Sequence, residues 1–316
     1  MNVVYLEPVP EDVESIVREC LPSELSLRVL KVDEKPEDVV ADADFLLVAT
    51  TKVTPSVLDA APKLKHIQHQ GVGYNNIDLD AARAKGVTIG LTPEGTSIPV
   101  AEHVFLLILS LYRKLFEARQ SLRDGKWLQW ELRPHSYDLV GKTVGIVGLG
   151  RIGRELTTRL RAFGCEVFYT DAVRVSEAEE LHLGAVFTDL DDLLQRSDIV
   201  SLHVPLLPET RNLVGTRELA LMKSNAILIN AARGGLIDEK ALEVALNEGQ
   251  ISGAGLDVFE QEPPPKDHPL LFMDNVVAVP HIAAGTRDAY ATKMRAAFAN
   301  MQRVARGEDP INQVEL

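Results

Sequence analysis

Three residues in the last third of the chain have the types that a proton-coupled reaction on a small anion needs: Arg233, Glu262 and His281. Arg233 follows the apolar run Ala226–Asn230 and precedes Gly234 and Gly235. A guanidinium there can grip an anion through two parallel N–H bonds; it can equally cap a helix or stand on the surface. His281 follows the apolar run Val276–Val279. A lone histidine is more often a satisfied structural residue, but with a carboxylate such as Glu262 to pair with it becomes a general acid/base. Asp257 stands inside the apolar run Gly253–Val258, where a carboxylate is costly to bury without a partner. A cofactor amide is one partner that fits.

These groups need a scaffold, and Val144–Gly153 describes one. An apolar run feeds a G-x-G-x-x-G turn of Gly148, Gly150 and Gly153, followed by a helical pattern over about Arg154–Phe163 that Gly164 can end. In such a turn the first glycine permits the tight bend. The second lets backbone approach a pyrophosphate, and the third lets helix and strand pack closely. The helix N-terminus then offers free N–H groups to the phosphates. After the strand Val167–Tyr169 comes Asp171, 23 residues past Gly148, near the spacing of the acid that binds the adenosine ribose. A carboxylate there repels a 2′-phosphate and favours NAD over NADP, while the nearby Arg174 pulls the other way. Alone the motif is an ordinary glycine turn; strand, helix and acid together make it a dinucleotide site.

The elements around it alternate. Strand-like runs at Val3–Leu6, Leu27–Val32, Phe45–Ala49, Lys65–His69 and Val87–Ile89 are interleaved with helical runs at Glu11–Glu19, Pro36–Ala41, Ser56–Ala61 and Leu79–Lys85. This predicts a parallel α/β sheet. Pro93–Pro99 reads as a linker. One long helix is expected over Val100–Arg123, apolar on every face at Val104–Leu109 and therefore buried in a core or against a second subunit. The stretch Lys126–Asp138, with both tryptophans, reads as an irregular crossover. From Val144 a second doubly wound pattern runs to Val279, with its ligand edge at the strand C-terminal ends. Thr286–Arg306 reads as a helix that crosses back to the first domain. The expected division is 1–98 with 284–316, and 99–283.

Length, charge and cysteines narrow the class. At 316 residues two domains are the natural expectation. A net charge of −13 argues against nucleic acid and anionic membrane as partners. Cys20 and Cys165 form no metal-type pair, and a reduced, cytoplasmic protein is expected. The N-terminus reads as a first strand and not a signal peptide, and no apolar stretch reaches membrane-spanning length. His66 and His69, three apart on a strand, face opposite sides and make a poor metal pair. His103 is expected to pack and His135 to lie on a surface loop. Protease, esterase and P-loop motifs have no match.

Taken with the glycine turn, these residues resemble the D-isomer-specific 2-hydroxyacid dehydrogenase family, which includes D-3-phosphoglycerate dehydrogenase and glyoxylate/hydroxypyruvate reductase. The likeness covers nearly the whole chain. It includes Gly71–Asp78, Val100–His103, Leu202–Pro205 and Pro208–Thr210. The resemblance implies an α/β fold of two Rossmann-like domains with a cleft between them. One is a flavodoxin-like substrate domain and the other an NAD-binding domain. It implies an NAD-dependent oxidoreductase interconverting a D-2-hydroxy acid and its 2-oxo acid, acting as a homodimer. Arg233 matches the arginine that holds the substrate carboxylate and 2-oxo group. His281 matches the proton donor and acceptor, and Glu262 the glutamate paired with it. Asp257 matches the acid that holds the nicotinamide carboxamide, and the Val72–Gly73 backbone the loop that receives the substrate carboxylate. Gly148, Gly150, Arg151, Ile152, Gly153, Asp171, His203, Val204, Pro205, Thr210 and Ala232 fall at cofactor positions. The steps of 29 and 19 residues between Arg233, Glu262 and His281 are normal for the family.

Departures from the pattern bear on substrate. Ala283-Ala284 replaces the usual glycines after the histidine. Val48-Ala49-Thr50 stands where phosphoglycerate enzymes often carry Arg-Ser, which weakens a phosphorylated substrate. Glu262 in place of glutamine disfavours formate. A C-terminal serine-sensing domain is not expected. Two alternatives remain at this stage: an NAD(H)-sensing, corepressor-like protein on the same fold, or D-3-phosphoglycerate dehydrogenase itself.

Overall fold

The computed structural model describes residues 1–316. The chain runs β1 (Asn2–Tyr5), α1 (Glu11–Glu19), β2 (Ser26–Val29), α2 (Pro36–Val39), β3 (Phe45–Val48), α3 (Pro55–Asp59), β4 (His66–His69), α4 (Leu79–Ala84) and β5 (Thr88–Leu91). It continues through α5 (Ser97–Tyr112), α6 (Leu115–Arg123), β6 (Thr143–Val147), α7 (Arg151–Ala162), β7 (Glu166–Thr170), α8 (Glu177–Leu183), β8 (Ala185–Phe187), α9 (Leu190–Arg196) and β9 (Ile199–Leu202). The last elements are α10 (Thr216–Leu221), β10 (Ile227–Asn230), α11 (Glu239–Asn247), β11 (Gly253–Leu256), β12 (Val276–Ala278) and α12 (Arg287–Ala305). Two compact units result, Met1–Thr96 with Thr286–Leu316, and Ser97–Gly285. These borders fall two residues from those read off the sequence.

The first unit is a five-stranded parallel sheet in the order β2-β1-β3-β4-β5, the flavodoxin-like winding. Strands β1 and β3 at its centre are apolar on both faces, and their alternate residues feed two cores. Val4, Leu46 and Val48 pack with Val57 and Leu58 on one side. Val3, Tyr5, Phe45 and Leu47 pack on the other with Val17 of α1 and Met294, Phe298 and Met301 of α12. This double burial is why β1 and β3 read as apolar runs. Caps set the helix starts: Asp78 accepts from Ala81 N at 2.9 Å and Thr286 from Ala289 N at 3.1 Å.

The second unit is a seven-stranded parallel sheet in the order β12-β11-β10-β9-β6-β7-β8. Helices α5 and α7 cover one face, through Val104, Ile108, Leu156 and Leu160. The other face is covered from α9, α10 and α11, through Leu193, Leu219 and Leu242. Strand order reverses between β6 and β9, and a crevice opens at such a switch point above the strand C-termini.

Three expectations are corrected. The long helix is two, α5 and α6, broken where Lys114 takes a left-handed φ of 51°. No glycine or proline marks the break, so the apolar pattern reads straight through it. Helix α7 begins at Arg151, directly after Gly150, and includes Gly153. Strand β11 ends at Leu256, so Asp257 stands just past the strand and not inside it.

Candidate active site

The glycine turn closes the crevice of the second unit. Gly148 has φ +99°, and a Cβ there would sit 2.8 Å from the carbonyl carbon of His203. A Cβ on Gly153 would sit 2.3 Å from the Gly148 oxygen, so α7 lies directly against the turn. Gly150 differs: nothing lies within 4 Å of a Cβ built on it. Packing within the protein does not require glycine there, whereas an approaching pyrophosphate at the α7 N-terminus does. Arg151 is exposed and Ile152 half-buried on the first turn of that helix.

Asp171 lies just beyond β7 and accepts the Leu149 N–H through Oδ2 at 2.7 Å, tying it to the turn. The facing strand β9 leads to His203, whose Nε2 meets Ser201 Oγ at 2.9 Å while its buried Nδ1 has no partner. Burial pushes the His203 pKa down to about 4, so the ring is neutral near pH 7. Val204 and Pro205 follow, and Thr210 closes their loop by donating to the Pro205 carbonyl at 2.6 Å. These groups form one rim of the kind a dinucleotide needs: an open glycine, a helix N-terminus and a carboxylate just past the next strand.

The chemical groups stand at neighbouring strand ends. At the end of β10, Asn230 accepts from Ala232 N at 3.0 Å and donates to the Arg233 carbonyl at 2.9 Å. The Ala232–Arg233 turn is thereby held by a side chain whose role the sequence did not announce. Arg233 is exposed; its Nη1 donates to the Ala232 carbonyl at 2.6 Å. Gly234 admits no side chain, since a Cβ would fall 1.8 Å from the Phe259 oxygen. That contact brings the Arg233 loop against the segment that leads to Glu262.

Glu262 Oε1 accepts from Phe259 N at 3.1 Å, and Oε2 lies 2.7 Å from His281 Nδ1. The carboxylate thus fixes Nδ1 as the N–H side and leaves Nε2 facing outward on a half-exposed ring. His281 has φ 52°, a left-handed value that is uncommon outside glycine and that the surroundings hold in place. Asp257 supplies the constraint. Fully buried, it accepts Ile282 N at 2.7 Å and Ala283 N at 2.9 Å, while its carbonyl accepts His281 N at 2.8 Å. The partners that offset its burial are therefore backbone amides of the histidine loop. His103 Nε2 stands 3.6 Å from Asp257 Oδ1, beyond hydrogen-bond length and otherwise unpartnered. Burial lowers the His103 pKa and the Asp257 charge opposes that shift.

In the first unit, Val72 and Gly73 are exposed on the loop after β4. His69 shapes the start of that loop: Nδ1 accepts Gly71 N at 3.0 Å and Nε2 donates to the Ala49 carbonyl at 2.8 Å. His66 is bound instead to Thr88 and Gln68, and no group of three metal-ligating side chains occurs. Between β1 and β3, the switch point of this sheet, Glu7 Oε1 accepts the N–H groups of Ala49, Thr50 and Thr51 at 2.6–2.8 Å. A nest of amides that could hold an anion already holds one of the chain's own.

The family model described as "D-isomer specific 2-hydroxyacid dehydrogenase, NAD binding domain" matches residues 105–283. The chain belongs to the D-isomer specific 2-hydroxyacid dehydrogenase family. Within it, the chain is 41% identical over 317 residues to D-3-phosphoglycerate dehydrogenase of Methanocaldococcus jannaschii, covering all of this chain but 60% of that relative. It is 43% identical over 281 residues to glyoxylate reductase of Thermococcus litoralis, covering 87% of this chain and 84% of the relative. Among solved structures, D-lactate dehydrogenase with NAD+ from Lactobacillus jensenii superposes with a TM-score of 0.89 at 29% identity over all of both chains. An acyclic imino acid reductase in complex with NADPH and D-Arg superposes at 0.81 and 27%, also over all of both chains.

Proposed function

We propose that the protein is an NAD-dependent oxidoreductase that interconverts a small D-2-hydroxy acid and its 2-oxo acid. The Glu262–His281 pair, 2.7 Å apart at the strand edge that also carries the glycine turn, is the observation that carries this reading. In the proposed reduction, Arg233 binds the substrate carboxylate and polarises the 2-oxo oxygen. His281 Nε2 donates a proton to the developing alkoxide, and in oxidation it accepts that proton back. Glu262 orients the ring and balances its positive form. When bound, the nicotinamide supplies or takes the hydride at C2. Gly148, Gly150, Arg151, Ile152, Gly153, Asp171, His203, Val204, Pro205, Thr210 and Ala232 are assigned to the cofactor. Asp257 is assigned to its carboxamide as well as to the histidine loop. The backbone of Val72 and Gly73 is assigned to the substrate carboxylate, which makes the first unit the substrate domain.

Glyoxylate is the favoured test substrate, because relatives named glyoxylate reductase are matched over 81–84% of their length. The Glu7 carboxylate in the Ala49–Thr51 amides argues against a second, phosphorylated anion in the first unit. We take the protein to be a cytoplasmic homodimer. Its cysteines are both free, no helix is long and apolar enough to cross a membrane, and α5, α6 and the segment after them expose Leu106, Phe116, Leu122, Trp127 and Trp130.

The test is NADH oxidation over a panel of 2-oxo acids with His281→Ala as control. Turnover of one acid, lost by at least about 100-fold in the control, is expected. NADH binding with no turnover across the panel would sink the reading.

A further inference from the structure

Asp171 and Arg174 pull in opposite directions beyond β7. A carboxylate at that place disfavours the 2′-phosphate of NADP, and an arginine nearby accommodates it. The structure shows what becomes of the arginine. Nε and Nη2 of Arg174 donate to the two oxygens of Glu180, each at 2.8 Å. Such a fork-on-fork pair occupies the guanidinium edge that would otherwise face a phosphate. Tyr169 Oη donates to the same Glu180 Oε1 at 2.7 Å and accepts from Val175 N at 3.2 Å. The guanidinium carbon lies 5.4 Å from the centre of the Phe187 ring. Glu180 is 13% exposed against 53% for Arg174, so the glutamate is the anchor and the arginine the group it holds. Asp171 is fixed the other way, onto the glycine turn through Leu149 N. The first turn of α8 also carries Glu177 and Glu179, the latter paired with Arg154 at 2.6 Å.

The geometry points to Glu180 as a cofactor-specificity residue: it withholds Arg174 from the ribose 2′ position and so keeps NADPH out. This rests on the proposed use of a nicotinamide dinucleotide and adds the means by which its 2′ position is read. Glu180 touches neither cofactor nor substrate; it acts through the arginine that it restrains.

The experiment is a fluorescence titration of NADH and NADPH into the wild-type protein, Glu180→Gln, and Glu180→Gln combined with Arg174→Ala. Calorimetry with adenosine 2′,5′-bisphosphate and AMP repeats the comparison without the nicotinamide. Glutamine keeps the size of the side chain and an acceptor for Tyr169 while removing the charge. The ratio of the two affinities is read within one preparation, so a loss of folded protein cancels. Glu180→Gln is expected to shift that ratio toward NADPH by about tenfold or more, the scale of one charge-assisted contact to phosphate. Removing Arg174 in addition is expected to restore the wild-type ratio. Tyr169→Phe, which loosens the same anchor, should shift it less and in the same direction. An unchanged ratio in Glu180→Gln, with NADH still bound, overturns the inference alone. So does a shift that persists without Arg174, since the charge of Glu180 would then be acting by itself. If the wild type binds neither dinucleotide, the reading beneath the inference falls with it.

Discussion

The carbonyl of Asp257 accepts the backbone N–H of His281 at 2.8 Å, and its carboxylate takes the next two amides of the chain. One buried aspartate therefore determines the backbone of the loop that carries the histidine. The left-handed φ of His281 is the cost of that hold, and the amide bonds offset it.

Asp257→Asn separates the hold from the fold. An asparagine keeps one acceptor but turns an NH2 toward a backbone N–H, leaving donor facing donor in a site without water access. Hydrogen bonds to a charged group are worth about 1.5–3 kcal/mol, and a stability loss of that order is expected in urea denaturation. The turnover number should fall about 10–100-fold as His281 loses its fixed direction. A variant with wild-type turnover would show that the loop holds itself.

The three glycines of the turn should fail in different ways. Gly150→Ala meets no protein atom and should melt like the wild type, yet bind NADH at least about tenfold more weakly. Gly153→Ala drives a methyl to 2.3 Å from the Gly148 oxygen and should lose about 1–3 kcal/mol of stability. Thermal melting beside an NADH titration distinguishes the two, and equal behaviour would refute the division of labour.

His66 predicts an acid-sensitive first unit. Burial lowers its pKa from 6.5 to about 4, its hydrogen bonds to Gln68 and Thr88 opposing that shift. The native state therefore stays unprotonated where the unfolded chain takes up a proton. The stability it supports is complete above about pH 6.5, falls as pH drops toward about 4, and is flat below. The loss is on the order of 3 kcal/mol. Denaturation at pH 7 and pH 5 should show a larger difference in the wild type than in His66→Gln.

The exposed apolar residues of α5 and α6 give the oligomer a direct check. Leu106→Glu together with Leu122→Glu should convert a dimer to a monomer in sedimentation velocity, by placing charges where an apolar contact is proposed. An unchanged dimer would move the interface elsewhere.

Much of the architecture is legible in the sequence because both sheets are parallel and covered on both faces. Phe45–Val48 and Ile199–Leu202 are buried at every position, so the first reads as a plain apolar run and the second as one broken only by Ser201. The glycine turn is legible for a related reason, since steric demand at Gly148 and Gly153 leaves no other residue type. The groups that hold the loops in place are not legible. Glu7 meets amides more than forty residues away, and Asp257 meets amides 25 and 26 residues on; neither separation has a local period. The Asn230 clamp is local but looks like any polar residue after a strand. The break at Lys114 is hidden because the left-handed residue there is a lysine and not a glycine.

The return of α12 to the first sheet has a consequence for vectorial synthesis. Strands β1 to β5 leave the ribosome first, and Val17 of α1 can cover part of one sheet face early, yet the cover over Val3, Tyr5, Phe45 and Leu47 is complete only when Met294, Phe298 and Met301 have been made. Between them the whole of Ser97–Gly285 must be translated. At bacterial to eukaryotic elongation speeds that leaves one apolar sheet face only partly covered for about 10–40 s. The unit that emerges first is thus the last to close, and the contiguous dinucleotide-type unit can finish packing while its predecessor still waits for a lid. Nascent-chain stalling before and after residue 305 would time that step, and the interval is where a holdase has most to protect.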